Sequence, residues 1–320
     1  MIRLLGLFLA LLFPLQARAQ RPALPPNELG RVMILEYHLI EEPEARWART
    51  PQNFRRDLER LRAGGYRLVG LTDYVAGRIN LPPGVTPVIF TFDDSSPGQL
   101  RFIERNGKVE VDPMSAVGIL EAFAREHPEF GVNATFYVLP GAKQPHKLFG
   151  QPEYEQAKLQ YLVKRGFEIG NHTLWHATLS KYPEATVRQQ LARAQEWIDR
   201  LVPGYRLRTL ALPMGAYPSQ IEWAIRGSVN GTAYENEAIL MVSGGPAASP
   251  FHRRFDPYHL PRIQATEAEL QGWFKYFEKN PGERYVSDGD PATVRIPKGG
   301  ASDLRQPLPA GLRLTRAIHE

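Results

Sequence analysis

Apolar residues recur along the chain in two alternating patterns, short continuous runs and helical spacings. The run from Val85 to Phe92 is entered through Pro82-Pro83-Gly84 and indicates a strand that is buried on both faces. Similar short runs predict strands at residues 32–37, 66–71, 134–139, 167–169, 209–212, 239–242 and 260–263. Helical spacing predicts helices that begin at residues 50 and 112, one that ends at 166, and two more over residues 183–201 and 266–278. Because strand and helix alternate at least six times, we expect an α/β fold with a parallel sheet, either open or closed into a barrel.

The two ends of the chain differ from this pattern. Residues 1–19 have a basic start, an apolar run over residues 4–15 and small residues at 17 and 19, which predicts a signal peptide cleaved after Ala19. The apolar run is too short to cross a bilayer as a helix, so no transmembrane anchor is expected after cleavage. We therefore expect a secreted, periplasmic or cell-envelope protein. The predicted organisation is a leader at residues 20–30, one domain at 31–280 and an irregular extension at 281–320.

Composition excludes several classes of site and partner. The chain has no cysteine, which excludes disulfide bonds, thiolate metal ligands and a thiol nucleophile. Its net charge is +5, and the loss of Arg3 and Arg18 with the signal peptide lowers it to +3. Since the arginines are scattered and form no basic arm, no nucleic-acid partner is expected. A hairpin is predicted around Asn106-Gly107.

Two adjacent carboxylates follow the buried run, in the segment Thr91-Phe92-Asp93-Asp94-Ser95-Ser96. At the end of an apolar strand they repel each other and lose hydration, and a bound cation would relieve both costs. Successive strand residues point to opposite sides, so the two groups can have different roles. The alternative is an ordinary turn in which an aspartate caps the next helix.

The segment from Asn171 to His176 carries His172 and His176, four residues apart. That spacing predicts two imidazoles on one face of a helical turn, close enough to share a metal ion; the alternative is two polar loop histidines. A third segment, from Leu210 to Tyr217, ends a strand in a Pro and Gly turn whose amide groups could stabilise an oxyanion. The alternative interpretation of this segment is an ordinary turn at the end of a strand.

Glu36 and His38 lie two residues apart in the first predicted strand and so face the same side. A carboxylate neighbour favours the protonated imidazole, which suits a general acid, although a structural histidine is the alternative. Taken together, Asp94, His172 and His176 would leave open positions on a metal ion, as in a catalytic site. Asp93 then remains as a base and His38 as an acid.

These segments, with Asn133-Ala134-Thr135-Phe136, resemble the polysaccharide deacetylase family (NodB homology, carbohydrate esterase 4). The Glu36-Tyr37-His38 strand and residues 257–263 resemble the branch that includes exopolysaccharide N-deacetylases. The resemblance implies a distorted (β/α)7 barrel that binds one divalent metal ion, often zinc, through Asp94, His172 and His176. It also implies that Asp93 deprotonates a metal-bound water, that His38 protonates the departing amine, and that the partner is an N-acetylated polysaccharide or oligosaccharide.

The chain departs from the family pattern at several positions. Ser95 stands where a glycine is usual, Met214 replaces an aromatic residue, and the C-terminal Leu-x-His motif is missing. Ala211 stands where an arginine usually orients the base, and the sequence shows no certain substitute. The residues expected to bind substrate are Ser95, Pro213, Met214, Gly215 and Tyr217.

The leading hypothesis is a secreted, metal-dependent deacetylase that acts on the N-acetyl groups of an amino-sugar glycan. One alternative is a glycan-binding scaffold with little turnover, which the missing arginine motivates. Another is an O-acetyl esterase that uses the same site. A non-haem iron oxygenase also uses two histidines and one carboxylate, but the β/α pattern argues against it.

Overall fold

The computed structural model describes residues 24–316, and the predicted signal peptide lies outside the described residues. Eight parallel strands form the main sheet: β1 (Met33–Tyr37), β2 (Tyr66–Leu68), β3 (Thr86–Phe92), β4 (Thr135–Val138), β5 (Glu168–Asn171), β6 (Thr209–Ala211), β7 (Ala238–Gly244) and β8 (Leu260–Gln264). Seven of them close into a ring in the order β1-β3-β4-β5-β6-β7-β8. Strand β2 pairs with the first half of β3, outside the ring. The predicted α/β barrel is confirmed.

In the part of the chain that the structure describes, seven helices accompany the strands: α1 (Pro51–Ala63), α2 (Leu71–Val75), α3 (Ala116–Glu126), α4 (Glu155–Lys164), α5 (Glu184–Leu201), α6 (Glu222–Ile225) and α7 (Glu267–Lys279). The Thr50 side chain caps α1 by accepting a hydrogen bond from the Asn53 amide, as its sequence context predicts. The third helix begins at Ala116 rather than at 112, because Ser115 and not Asp112 supplies the cap. The strand predicted over residues 66–71 ends at Leu68, and α2 begins at Leu71.

Four small strand pairs lie outside the main sheet. Leu39–Ile40 pairs in parallel with Ala48–Arg49, and Thr293–Ile296 pairs in parallel with Arg313–Arg316. Phe102–Arg105 and Lys108–Val111 form the antiparallel hairpin predicted around Asn106-Gly107. The pair Arg226–Val229 and Thr232–Glu235 is a second antiparallel hairpin, which the sequence analysis did not predict. Short 3-10 turns occupy Pro128–Phe130, Leu148–Gly150, Pro152–Tyr154, Leu179–Lys181, Pro213–Gly215, Pro257–His259, Pro281–Glu283 and Gly300–Asp303.

The apolar core lies on both faces of the barrel wall. Every residue of β3 is buried, because the helices cover one face and the barrel interior the other. Phe92 and Phe136, on neighbouring strands, stack with their ring centroids 4.9 Å apart. No helix of the described part is long and apolar enough to cross a membrane. The predicted boundaries at residues 19, 30 and 280 stay predictions.

Closure of the ring decides which side chains can meet. β1 pairs with β3 on one side and with β8 on the other, so residues from the start, the middle and the end of the chain share one wall. In parallel β/α barrels the loops that follow the strands gather at one mouth. The predicted Asp pair follows β3, and the predicted His pair follows β5.

Candidate metal centre

Three side chains from two strand ends converge at the mouth of the barrel. The Oδ1 atom of Asp94 lies 3.3 Å from Nε2 of His172 and 3.4 Å from Nε2 of His176. His172 is buried, whereas Asp94 and His176 are 24% and 36% exposed at their side chains. The cluster therefore has a protein side and a solvent side.

The spacing of these atoms fits a metal ion. Ligands about 2.1 Å from a tetrahedral zinc ion are about 3.4 Å apart. The Oδ1 atom of Asp94 is buried and has no hydrogen-bond partner among the described residues, a costly state that a cation would relieve. With its proton on Nδ1, His172 donates to the Ala211 carbonyl oxygen at 2.9 Å and keeps Nε2 free as a ligand. Burial lowers the pKa of His172, but Asp93 and Asp94 outweigh it and raise that pKa, which shows how strongly the pocket favours positive charge.

The loops that carry the ligands adopt an unusual backbone conformation. Asp94, Thr173, His176 and Met214 have φ angles of 73°, 68°, 68° and 59°, in the left-handed region that non-glycine residues rarely occupy. The two histidines are thus brought together by an irregular turn, so the prediction of a helical turn was wrong. Such strain persists where the surrounding structure fixes it, and it clusters at functional sites.

Asp93, the predicted base, is held by an arginine that the sequence analysis did not assign. The guanidinium of Arg262 donates to both carboxylate oxygens of Asp93, at 2.8 and 2.7 Å, and to Thr91 Oγ1 at 3.1 Å. Its Nε donates to the carbonyl oxygen of Met241 at 2.6 Å. Arg262 and Asp93 are both buried. Burial alone would raise the pKa of Asp93, but Arg262 outweighs it and holds that pKa well below its usual range, so Asp93 is ionised.

Glu36 shares the same guanidinium. Its Oε1 accepts from Nη2 of Arg262 at 2.7 Å, while Oε2 is buried with no hydrogen-bond partner among the described residues. Burial raises the pKa of Glu36 well above its usual value. Arg262 opposes this effect, whereas the nearby Asp93 carboxylate adds to it. Arg262 thus reaches from β8 across Glu36 on β1 to Asp93, which directly follows β3.

His38 lies beside this group, at the end of β1. Its Nε2 is 4.0 Å from Oε1 of Glu36, which agrees with the prediction that the two side chains face the same side. Burial lowers the pKa of His38 despite the nearby Asp93 and Asp94 carboxylates. The expectation that a carboxylate neighbour would favour the protonated imidazole is therefore not met, because desolvation is the larger effect.

Glu36, His38 and Asp93 also have ligand-type atoms within 4.8 Å of one another. They nevertheless do not form a second metal site, since the Arg262 guanidinium already pairs with the Asp93 carboxylate and donates to Glu36. On this side of the mouth the positive charge is the guanidinium of Arg262.

The residues predicted to bind substrate have different positions. The Ser95 hydroxyl is buried, donates to the carbonyl oxygen of His146 at 2.7 Å and accepts from the Leu139 amide, so it ties two loops together. Pro213 is buried and Gly215 half-buried, whereas Met214 is 72% exposed. The Tyr217 hydroxyl donates to the carbonyl oxygen of Tyr258 at 2.9 Å. Substrate contact by these residues stays a prediction.

Comparison with known proteins places this geometry in context. Residues 82–227 match the family model described as polysaccharide deacetylase. The chain carries a polysaccharide deacetylase domain. The matched segment contains Asp93, Asp94, His172 and His176 but not His38 or Arg262.

Solved structures of polysaccharide deacetylases have the same fold as this chain. The deacetylase PplD of Streptococcus pyogenes, solved in complex with acetate, is 17% identical over 77% of this chain and 97% of its own, with a TM-score of 0.58. IcaB from Ammonifex degensii is 19% identical over 79% of this chain and 99% of its own, with a TM-score of 0.57. The polysaccharide deacetylase BC0361 from Bacillus cereus is 19% identical over 76% and 68%, with a TM-score of 0.56. At these identities the likeness shows the fold.

Proposed function

We propose that this protein is a metal-dependent hydrolase that removes N-acetyl groups from an amino-sugar glycan. The observation that carries the proposal is the pairing of an ionised base, Asp93, with a set of metal ligands beside it. The carboxylate of Asp93 lies 3.9 Å from Nε2 of His172. The family match over residues 82–227 supports the substrate class.

Asp94, His172 and His176 would hold the ion. When bound there, a divalent cation would lower the pKa of a water molecule and polarise a carbonyl oxygen. The two separations from Asp94 Oδ1, 3.3 and 3.4 Å, fit a zinc ion. Asp94 and His176 are partly exposed to solvent, so a substrate could reach an ion held there from the mouth of the barrel.

The remaining steps use side chains on the other side of the mouth. Asp93, kept ionised by Arg262, accepts a proton from the water that attacks the acetamide carbonyl carbon. Because burial lowers the pKa of His38, the proton that it donates comes from Asp93, which has taken it from the water and lies within 4.8 Å of the imidazole. His38 passes the proton to the amide nitrogen as the carbon–nitrogen bond breaks, which releases acetate and a free amine. Arg262 acts here as a positioning residue, because its two bonds fix the orientation of the Asp93 carboxylate.

Acetate release from N-acetylglucosamine oligomers tests this proposal. We expect the wild type to release acetate and Asp93→Asn to lose at least about 100-fold in kcat, because the amide has no basic oxygen pair to accept the proton. The alternative of a glycan-binding scaffold rested on Ala211, which leaves the base without the usual arginine. Arg262 supplies a charge to the base from β8 and so argues against that alternative. Release from O-acetylated but not from N-acetylated sugars would support the O-acetyl esterase instead.

We also propose that the protein acts outside the cytoplasm, after cleavage that follows Ala19. The support is the basic start, the apolar run and the small residues of positions 1–19. Mass spectrometry of the protein recovered from the medium or the cell envelope should show Gln20 as the first residue. Recovery of the chain with residues 1–19 intact and only from the cytoplasm would contradict the proposal.

A further inference from the structure

A short loop, residues 41–47, covers the side chain of His38. Its base is the parallel pair of Leu39–Ile40 and Ala48–Arg49. At its end, the indole of Trp47 packs against the imidazole of His38, with ring centroids 4.6 Å apart and planes inclined by 59°. The guanidinium of Arg46 lies 5.0 Å from the centroid of the same indole.

Buried charges fix the conformation of this loop. Arg49 is 3% exposed and donates to both carboxylate oxygens of Asp57, at 2.9 and 2.6 Å, and to Glu267 at 2.8 Å. It also donates to Glu44 within the loop, and the other oxygen of Glu44 accepts from the Thr50 amide at 2.9 Å. The loop is therefore joined to α1 and α7 by hydrogen-bonded ion pairs, which fix the position of Trp47 next to His38.

Burial in the core does not account for Trp47. Its side chain is 38% exposed, one of five large apolar side chains in the described part that are exposed to such an extent. The indole therefore keeps one part in water while another part packs on the imidazole of His38.

The ring of His38 has few other restraints. Its main-chain carbonyl oxygen accepts from Ser96 at 3.2 Å and from Gln99 at 2.7 Å, so the backbone is fixed. Among residues 24–316 no group hydrogen-bonds to the imidazole nitrogens, and the nearest carboxylate oxygen, from Glu36, is 4.0 Å away. A cleft beside the ring, lined by His38, Trp47 and Gln264 among others, has a volume of about 10 Å³, room for about one water molecule.

We propose that Trp47 is a positioning residue for the proton donor His38, and that it holds the imidazole where the departing amine nitrogen receives its proton. This inference rests on the proposed function. It predicts an effect that depends on the leaving group. An amine leaves only when its nitrogen takes a proton from His38 as the carbon–nitrogen bond breaks, whereas a nitrophenolate leaves as a stable anion without one.

The test compares two acetylated substrates, an N-acetylglucosamine oligomer and p-nitrophenyl acetate. For Trp47→Ala we expect kcat on the oligomer to fall by about 10-fold or more, with a smaller change in KM, and hydrolysis of the ester to stay within about 3-fold. Trp47→Phe, which keeps an aromatic face, should recover most of the loss. His38→Ala should show the same selectivity for the leaving group, and Met114→Ala, which removes another exposed apolar side chain, should alter neither substrate.

Two outcomes overturn the inference: equal loss on both substrates, or no loss on the oligomer. If the wild type releases acetate from neither, the proposed function fails, and proton NMR of His38 then decides the positioning role. In the wild type the ring-current field of the indole should shift the His38 ring resonances from their ordinary positions. Trp47→Ala should return them toward those positions, and unchanged resonances would refute the contact.

Discussion

The two sides of the barrel mouth are built in different ways. The side that we propose to hold the metal uses the ends of β3 and β5, and its three proposed ligands lie within two short segments of the region that matches the family model. The base side uses β1, β3 and β8, and Glu36, Asp93 and Arg262 meet because β1 lies between the other two strands. The proposed metal ligands can thus be found from local motifs. The groups that orient the base and donate the proton depend on which strands are neighbours.

That difference bears on Ala211. The family resemblance implies an arginine at this position that orients the base, and here the Ala211 carbonyl oxygen accepts from His172 instead. The orienting charge comes instead from Arg262 on β8. Counted from β3, β8 is two strands away in one direction around the ring, whereas β6, which carries Ala211, is three strands away in the opposite direction. One electrostatic requirement, a fixed cation against a buried carboxylate, can therefore be met from a different strand.

The largest effect is expected on the metal side. His172→Ala should remove a ligand and lower acetate release by about 1,000-fold or more, because the water would lose its activation. Metal analysis of the purified variant should show a clear loss of bound ion, with the fold retained by circular dichroism. Full metal occupancy together with full activity would show that His172 is not a ligand.

On the base side, Arg262→Met should separate activity from metal binding. We expect a loss in kcat of about 100-fold from misplacement of the base, with the bound metal unchanged. Asp93 would also become an unpaired buried charge, which should lower the free energy of unfolding by about 3 to 5 kcal/mol. Thermal or denaturant unfolding measures this.

The double variant Asp93→Asn with Arg262→Met should unfold at higher denaturant concentration than Arg262→Met alone, because it leaves no unpaired carboxylate. If the two changes were simply additive, the account of Arg262 as the partner of Asp93 would be wrong.

The pH dependence of Arg262 variants gives an intermediate effect. In the wild type, Arg262 holds the pKa of Asp93 below its usual range against the effect of burial. Without that charge burial raises the pKa, and since Asp93 accepts a proton only when ionised, the acid limb of kcat/KM should move to higher pH in Arg262→Met. Arg262→Lys keeps the charge, so its limb should stay near that of the wild type while kcat falls. Identical limbs in both variants would contradict this assignment.

The smallest effect is expected at Glu36. Its raised pKa already favours the uncharged carboxyl group, and a glutamine keeps an oxygen to accept from Arg262. Glu36→Gln should therefore change kcat by less than about 3-fold and stability by less than about 1 kcal/mol. Glu36→Leu, which removes the acceptor, should cost more. A large loss in Glu36→Gln would show that a charged Glu36 is required.

Most of the barrel could be predicted from the sequence. The continuous apolar run over β3 and the cap and Pro at the start of α1 are local signals, and both elements form where those signals indicate. The boundary of α3 was missed because two capping residues, Asp112 and Ser115, compete within four positions. The second hairpin, Arg226–Val229 with Thr232–Glu235, turns at Asn230-Gly231, with φ angles of 50° and 84°. The same Asn-Gly signal predicted the first hairpin, so this hairpin was predictable and was missed.

The site was predictable only in part, for a physical reason. Asp93, Asp94, His172 and His176 lie beside predicted strand ends, so the topology brings them together. The sequence contains one indication of Arg262 that was not used: it is a charged residue in the middle of an apolar strand, and such a residue requires a buried partner. The identity of that partner depends on the order of strands in the ring, and no local pattern gives it.

Bound metal and acetate release, measured on one preparation before and after a chelator, test the central claim most directly. The account predicts one divalent ion per chain, loss of ion and activity together, and recovery of both when zinc is added back. Acetate release that continues at its full rate from the ion-free protein would contradict the account.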